Sequence, residues 1–163
     1  MDTNTNSLLE NLAKELKSRN SFLCCAESCT GGYLSHLVTS FPQCAKHFNG
    51  AVICYSPDLK SCLLDVSSAA IKQDEAVNEQ CAVEMMVGAL KTCKSDYAIA
   101  VTGFAGPDGG TTENPVGTVW ISAGSKRKHI TRRYILNGDR DKNISQFSIL
   151  ALQLLLDFLD AEE

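Results

Sequence analysis

The stretch Glu27–Gly32, ESCTGG, brings together a carboxylate, a serine, a cysteine, a threonine and two glycines. It lies between the apolar run SFLCCA and a helical pattern, so it reads as a strand-to-helix bend. On such a bend a side chain sits beside the free amide protons and the positive dipole end of the coming helix. Gly31 and Gly32 would let a ligand approach the backbone closely. Three readings follow: Ser28 or Thr30 capping the helix, a phosphate cradle, or a nucleophilic Ser28 beside an oxyanion pocket. The stretch matches neither the Gly-x-x-x-x-Gly-Lys-Ser/Thr phosphate loop nor the Gly-x-Ser-x-Gly nucleophile elbow.

A serine hydroxyl is a weak nucleophile until something takes its proton. The chain has 3 histidines, His36, His47 and His129. His36 falls two turns into the helix after Ser28, His129 adjoins the basic run KRKH, and His47 has no evident orienting partner. A partly desolvated lysine is the alternative acceptor. Lys60 follows the apolar strand AVICY by one helical turn, and Tyr55 closes that strand, where it could hydrogen-bond either Ser28 or Lys60. The competing reading makes Lys60 a solvated surface lysine and Tyr55 a strand-end anchor. A third piece, TGFAGPDGG, is a glycine-rich loop at the carboxyl end of a strand, a place that often carries function. Its Gly103, Gly106 and Gly109 do not have the spacing of a dinucleotide fingerprint. Arg140, in NGDR at the start of the last helix, is either an anion partner beside helix amides or a solvated arginine.

The elements that must position these residues follow from periodicity. A first helix is predicted from about Ser7, where Ser7 and Glu10 have capping-box spacing and Leu8, Leu9, Leu12, Ala13 and Leu16 form one face. SFLCCAE is a buried strand, followed by a helix from about Thr30 to Ser40 closed by Phe41–Pro42. FNGAVICYS is a second strand, and Ser56–Pro57 starts a short helix at a position that needs no amide proton. Ser67–Lys72 is a further short helical piece, and Asn78 caps a helix running to about Cys93. DYAIAVTG is a third strand. GTVWISAG and HITRRYIL form a hairpin with the basic run at its tip. A long final helix carries Ile144, Phe147, Ala151, Leu154, Leu155, Phe158 and Leu159 on one face. The order α-β-α-β-α-α-β-β-β-α predicts a three-layer α/β/α sandwich with a mixed, mostly parallel sheet of about five strands. In such sheets ligands lie beyond the carboxyl ends of the parallel strands, where ESCTGG, the end of AVICYS and TGFAGPDGG all fall.

Composition narrows the classes. With 163 residues, 44% hydrophobic and 21% charged, the chain fits one soluble domain. A net charge of -4 and the lack of a long basic block argue against a nucleic-acid binder. The polar start lacks a signal-peptide pattern, and no uninterrupted apolar run approaches the ~20 residues of a membrane span. A cytoplasmic protein without membrane association is expected. The 8 cysteines then read as small buried hydrophobes rather than disulfides, and no Cys-x-x-Cys spacing points to zinc. Cys29, inside the bend, stays open as a nucleophile.

AESCTGG, YSPDLK, TGFAGPDGGTTENPVGTVW and GDR, in this order and spacing, resemble the CinA C-terminal domain family from about Leu8 to Phe158. The molybdopterin-binding-like amino-terminal domain of full-length CinA proteins has no counterpart, and residues 1–163 read as a single amidohydrolase domain. The standalone bacterial members are nicotinamide-nucleotide amidohydrolases. The resemblance implies hydrolysis of the carboxamide of nicotinamide mononucleotide to nicotinate mononucleotide and ammonia, a recycling step in NAD metabolism, without metal or organic cofactor. Position by position, it implies Ser28 as nucleophile, Lys60 as its base and Tyr55 as an assisting hydrogen-bond partner. It implies substrate contacts from Thr30, Gly31, Gly32, Gly103, Ala105 and Gly106, and Arg140 as phosphate partner. Phe104 stands where the family more often carries isoleucine or leucine, and Pro57 where a polar residue is usual. A homo-oligomer is expected, as for many small enzymes. Two other functions compete: a non-catalytic nucleotide-binding module linked to competence or DNA-damage responses, and an amidase using Cys29.

Overall fold

A computed structural model describes residues 3–162 of the chain. In order, the elements are α1 (Thr3–Ser18), β1 (Leu23–Glu27), α2 (Tyr33–Ser40), α3 (Pro42–Ala45), β2 (Phe48–Ile53), α4 (Pro57–Leu64) and α5 (Ser68–Lys72). A short 3-10 turn (Gln73–Ala76) leads to α6 (Glu79–Cys93), β3 (Tyr97–Gly103), β4 (Thr118–Ser125), β5 (His129–Ile135) and α7 (Arg140–Ala161).

The strands order as β2-β1-β3-β4-β5. β1 runs parallel to both β2 and β3, while β3–β4 and β4–β5 are antiparallel. The three-layer α/β/α expectation holds, with the parallel pairing confined to the β2-β1-β3 half. Alternation along the central strands explains the layers. Leu23 and Cys25 of β1 and Ile99 and Val101 of β3 pack on one face with α1, α2 and α7. Cys24, Ala26, Ala98 and Ala100 point to the other face, against Met85, Met86 and Leu90 of α6. Small residues on that second face let α6 lie close to the sheet.

Three local readings change. Helix α1 already includes Thr3, and buried Thr5 continues its inward face. Ser7 is therefore mid-helix, and the Ser7–Glu10 spacing does not form a cap there. Phe41–Pro42 ends α2, yet Pro42 also opens α3, since the first helical position needs no amide proton. Helix α7, with 22 residues, is long and apolar enough by composition to cross a membrane, unlike the run-length reading. In the fold it lies against the sheet with Phe147, Leu152, Leu155 and Leu159 buried.

The helix carrying Lys60 is seated by a close backbone approach. A Cβ added to Gly88 of α6 would fall 2.2 Å from the Leu64 carbonyl oxygen at the end of α4. Gly88→Ala must therefore push α4 away from α6. It is expected to cost about 1–3 kcal/mol, read as a lower urea midpoint.

Candidate active site

Ser28 sits one residue past β1, where its amide donates to Val101 O at 3.2 Å and so continues the pairing with β3. Cys54, just past β2, donates its amide to Glu27 O at 2.8 Å. The carboxyl ends of the three parallel strands are thereby tied at one edge. Beyond β2, the Ser56 hydroxyl accepts from Leu59 N at 3.3 Å and Pro57 occupies the first turn. This start directs Lys60 back over the strand ends. Its Nζ donates to Ser28 Oγ at 2.8 Å, with Ser28 7% and Lys60 3% exposed. Residues far apart in sequence thus form a buried hydroxyl–amine pair, and Lys60 is not a solvated surface residue.

The free amides of the bend are used differently from the expectation. Glu27, fully buried at the end of β1, turns its carboxylate into the start of α2. Its Oε2 accepts from Thr30 Oγ1 at 2.7 Å, Gly32 N at 2.9 Å and Leu34 N at 3.2 Å. Its Oε1 accepts from Ser35 N at 2.9 Å and from the Ser35 hydroxyl. An anion does occupy this helix N-terminus, but the chain supplies it. The Thr30 hydroxyl and the Gly32 amide, expected to meet substrate, are therefore turned to Glu27. Gly31, at φ 57°, closes the turn by donating to Ser28 O at 3.1 Å. The backbone amide of Thr30 has no hydrogen-bond acceptor among the described residues, and that of Cys29 meets only its own thiol.

The glycine-rich loop is held from outside by its carbonyls. Phe104 O accepts from Gly117 N at 2.7 Å, Ala105 O from Asn143 Nδ2 at 3.0 Å, and Gly106 O from Arg140 at 2.6 Å. In a trans peptide the next N–H points the opposite way. The amides of Ala105 and Gly106 thus face away from these partners, and no described acceptor takes them. Gly103 lies against the Thr118 carbonyl, 2.5 Å from where its Cβ would sit. Arg140 also donates to the Tyr55 hydroxyl at 3.0 Å. Tyr55 is 58% exposed. Its hydroxyl thus meets Arg140 rather than Ser28 or Lys60, because the side chain lies out along the rim of the strand end.

A cleft of about 460 Å³ opens over the pair. Ser28, Cys29 and Lys60 line one part, Tyr55 and Pro57 the rim, and Glu75, Val77, Thr102, Gly103 and Phe104 the rest. A second cavity of about 340 Å³ is lined by Ala105, Gly106 and Arg140. No histidine lines either one. His47 packs at the opposite end of β1, where its carbonyl accepts from Leu23 N at 2.8 Å. Among the described residues, no group of three or more His, Cys, Asp or Glu side chains converges as a metal-binding set.

Cys29 shares the cleft wall, but burial pushes its thiol up to about 12 despite the nearby Lys60. At neutral pH it is a thiol, not a thiolate, and so a poor nucleophile. All 8 cysteines are free. Only Cys62 is exposed, with Cys93 half-buried. A thiol reagent at pH 7 is expected to label Cys62 first and Cys29 only on unfolding, as read by peptide mass spectrometry.

The structure brings together Ser28, Lys60 and the start of the loop, all singled out from the sequence, through residues that sequence reasoning missed. Glu27 was noted as a carboxylate in the bend but given no role, and its part as the cap of α2 was not foreseen. Asn143, on the buried side of α7, gave no local signal for its contact with Ala105 O. Thr102 was read only as part of a strand end, yet its hydroxyl donates to Ala76 O at 2.8 Å beside the cleft.

Comparisons with known proteins match the chain in both sequence and fold. The sequence profile of the CinA C-terminal domain matches residues 5–159. The nicotinamide-nucleotide amidohydrolase PncC of Escherichia coli K12 is 39% identical over 155 residues, covering 94% of each chain. A CinA-like protein of Thermotoga maritima is 41% identical over 160 residues, 98% of this chain but 39% of that longer protein. Among solved structures, a CinA superfamily protein of Klebsiella pneumoniae superposes with a TM-score of 0.90 at 32% identity, covering 96% of this chain and 98% of that one. A competence/damage inducible protein of Agrobacterium tumefaciens gives 0.91 at 26% identity, covering 98% of each.

Proposed function

The chain belongs to the CinA C-terminal domain family, and we propose that it hydrolyses the carboxamide of nicotinamide mononucleotide to nicotinate mononucleotide and ammonia. The observation that carries this reading is the buried Ser28–Lys60 contact at 2.8 Å, opening on a cleft. Similarity to an enzyme named for this activity over nearly its whole length supports the choice of substrate.

In the proposed reaction Lys60, in its amine form, takes the Ser28 proton as Oγ attacks the carboxamide carbon. The developing oxyanion has candidate donors in the amides of Cys29 and Thr30 on one side and of Ala105 and Gly106 on the other. Lys60 returns the proton to the departing nitrogen, the C–N bond breaks, and ammonia leaves an acyl ester on Ser28. Water then attacks the ester, giving up a proton to Lys60, and the carboxylic acid product leaves with Ser28 restored. Arg140 is the proposed phosphate partner, with Tyr55 and Gly106 O fixing its guanidinium at the rim. A phosphate bound away from the reacting carbon would orient the ring at little further cost.

The test is ammonia release from nicotinamide mononucleotide by the purified protein, with nicotinate mononucleotide identified by mass. Release at enzymatic rates supports the reading, and silence from folded protein that still binds the nucleotide overturns it in favour of a binding module. If Arg140 holds the phosphate, Arg140→Ala is expected to lower kcat/KM by about ten- to a hundredfold, the loss of a charge-assisted contact. Its effect on a phosphate-free nicotinamide riboside should be much smaller.

A further inference from the structure

The turn between α5 and α6 holds a backbone conformation that side chains resist. Asp74, Glu75 and Ala76 have φ of 46°, 54° and 65° in succession. Left-handed backbone is costly for residues with a Cβ, and it occurs mostly as single residues. Here the surroundings impose it. Thr102 Oγ1 donates to Ala76 O at 2.8 Å, and Asn114 Nδ2 donates to Val77 O at 2.8 Å. Asn78 Nδ2 donates to Gln73 O at 2.7 Å and to Ala70 O at 2.9 Å. Thr102, Asn78 and Asn114 are all buried, so the turn is clamped by β3, by the cap of α6 and by the loop before β4. Strain maintained in this way is characteristic of functional sites.

What the clamped turn presents is Glu75. It lines the same cleft as Ser28 and Lys60, and among the described residues it is the only carboxylate that does so. No hydrogen bond or ion pair with another described residue uses it. A cleft whose wall holds the Lys60 amine would disfavour a second positive charge by Coulomb repulsion whenever that amine is protonated. The proposed substrate brings such a charge, because its reactive carboxamide sits on an N-alkylated pyridinium ring. We infer that Glu75 is a specificity residue that reads this positive ring, favouring cationic nicotinamide nucleotides over neutral carboxamides of the same shape. The inference rests on the amidase reading above. Glu75 is an exposed residue, so its preference is modest, about two- to fivefold in affinity.

The test uses the Ser28→Ala protein, which keeps substrate intact, and calorimetric titration with two ligands. One is nicotinamide mononucleotide. The other is its reduced dihydropyridine form, with the same ribose, phosphate and carboxamide but a neutral ring. Tighter binding of the cationic form is expected, and adding Glu75→Gln should weaken that form alone and remove most of the preference. Glu75→Gly, which suits left-handed backbone, should melt at higher temperature and lose the preference equally, so a poorly folded glutamine variant leaves the test standing. Equal weakening of both ligands would overturn the inference and place Glu75 on the ribose hydroxyls. No change in either would also overturn it. A charge preference that depends on Glu75, in a protein that releases no ammonia from nicotinamide mononucleotide, would refute the amidase reading and leave this inference intact. Ammonia release without any preference would do the reverse, and failure of both ligands to bind would remove both.

Discussion

Ser28→Ala is expected to abolish ammonia release, with kcat falling about a thousandfold or more while the protein stays folded. The oxygen it removes is, among the described residues, the one hydroxyl hydrogen-bonded to Lys60 Nζ, at 2.8 Å. A loss of this size corresponds to about 4 kcal/mol or more of barrier. Lys60→Met should be nearly as severe, since it keeps much of the buried volume but cannot accept a proton. Lys60→Arg tests the role further, because guanidinium keeps its charge at any working pH and cannot serve as base. If the two residues act as one unit, the Ser28→Ala, Lys60→Met double variant should be no slower than Ser28→Ala alone. Multiplicative losses would show that they act separately. Full activity in Ser28→Ala would sink the serine reading, and with the Cys29 thiol raised to about 12 by burial it would leave the cleft without an evident nucleophile. Cys29→Ala is correspondingly expected to keep most of the activity.

The largest effect on stability is expected at Glu27. Its two oxygens accept the amides of Gly32, Leu34 and Ser35 and the hydroxyls of Thr30 and Ser35, all at the start of α2. Glu27→Ala would leave those donors without acceptors in a buried place. The penalty is about 3–5 kcal/mol, several hydrogen bonds to a charged group being lost together. For a domain of this size, that lowers Tm by about 10 °C. Glu27→Gln should also be costly, because donors surround both oxygens and the amide NH2 must face one set of them. Thermal unfolding followed by circular dichroism reads both variants. A glutamine variant that melts with the wild type would show that the carboxylate is not the organising group of the bend. Because Ser28 is the next residue, activity is expected to fall with stability in these variants, unlike in Ser28→Ala.

How far the sequence reached depends on the range of each interaction. Helix faces, the Ser56–Pro57 start, the Asn78 cap and the basic hairpin tip are governed by neighbours a few residues apart, and all were legible. The nearly continuous apolar run of β1, with helices falling between the early strands, likewise announced a sheet covered on both sides. The start of α1 was placed too late because the Ser7–Glu10 spacing imitates a cap inside a helix. The bend ESCTGG was legible as a strand-to-helix turn, but the cap was expected from Ser28 or Thr30 when the Glu27 carboxylate takes that place.

By itself, the sequence determined the element order, the glycine-rich segments at the strand ends and the residue types able to attack an amide. Only the tertiary structure decided which of them meet. The order β2-β1-β3 sets the ends of three strands side by side, so Lys60 from the second βα unit reaches Ser28 from the first. The same packing drew Tyr55 to Arg140 and clamped the strained turn that carries Glu75. Those contacts join residues distant along the chain, and the strength of the buried ones comes from exclusion of water, which no local pattern encodes.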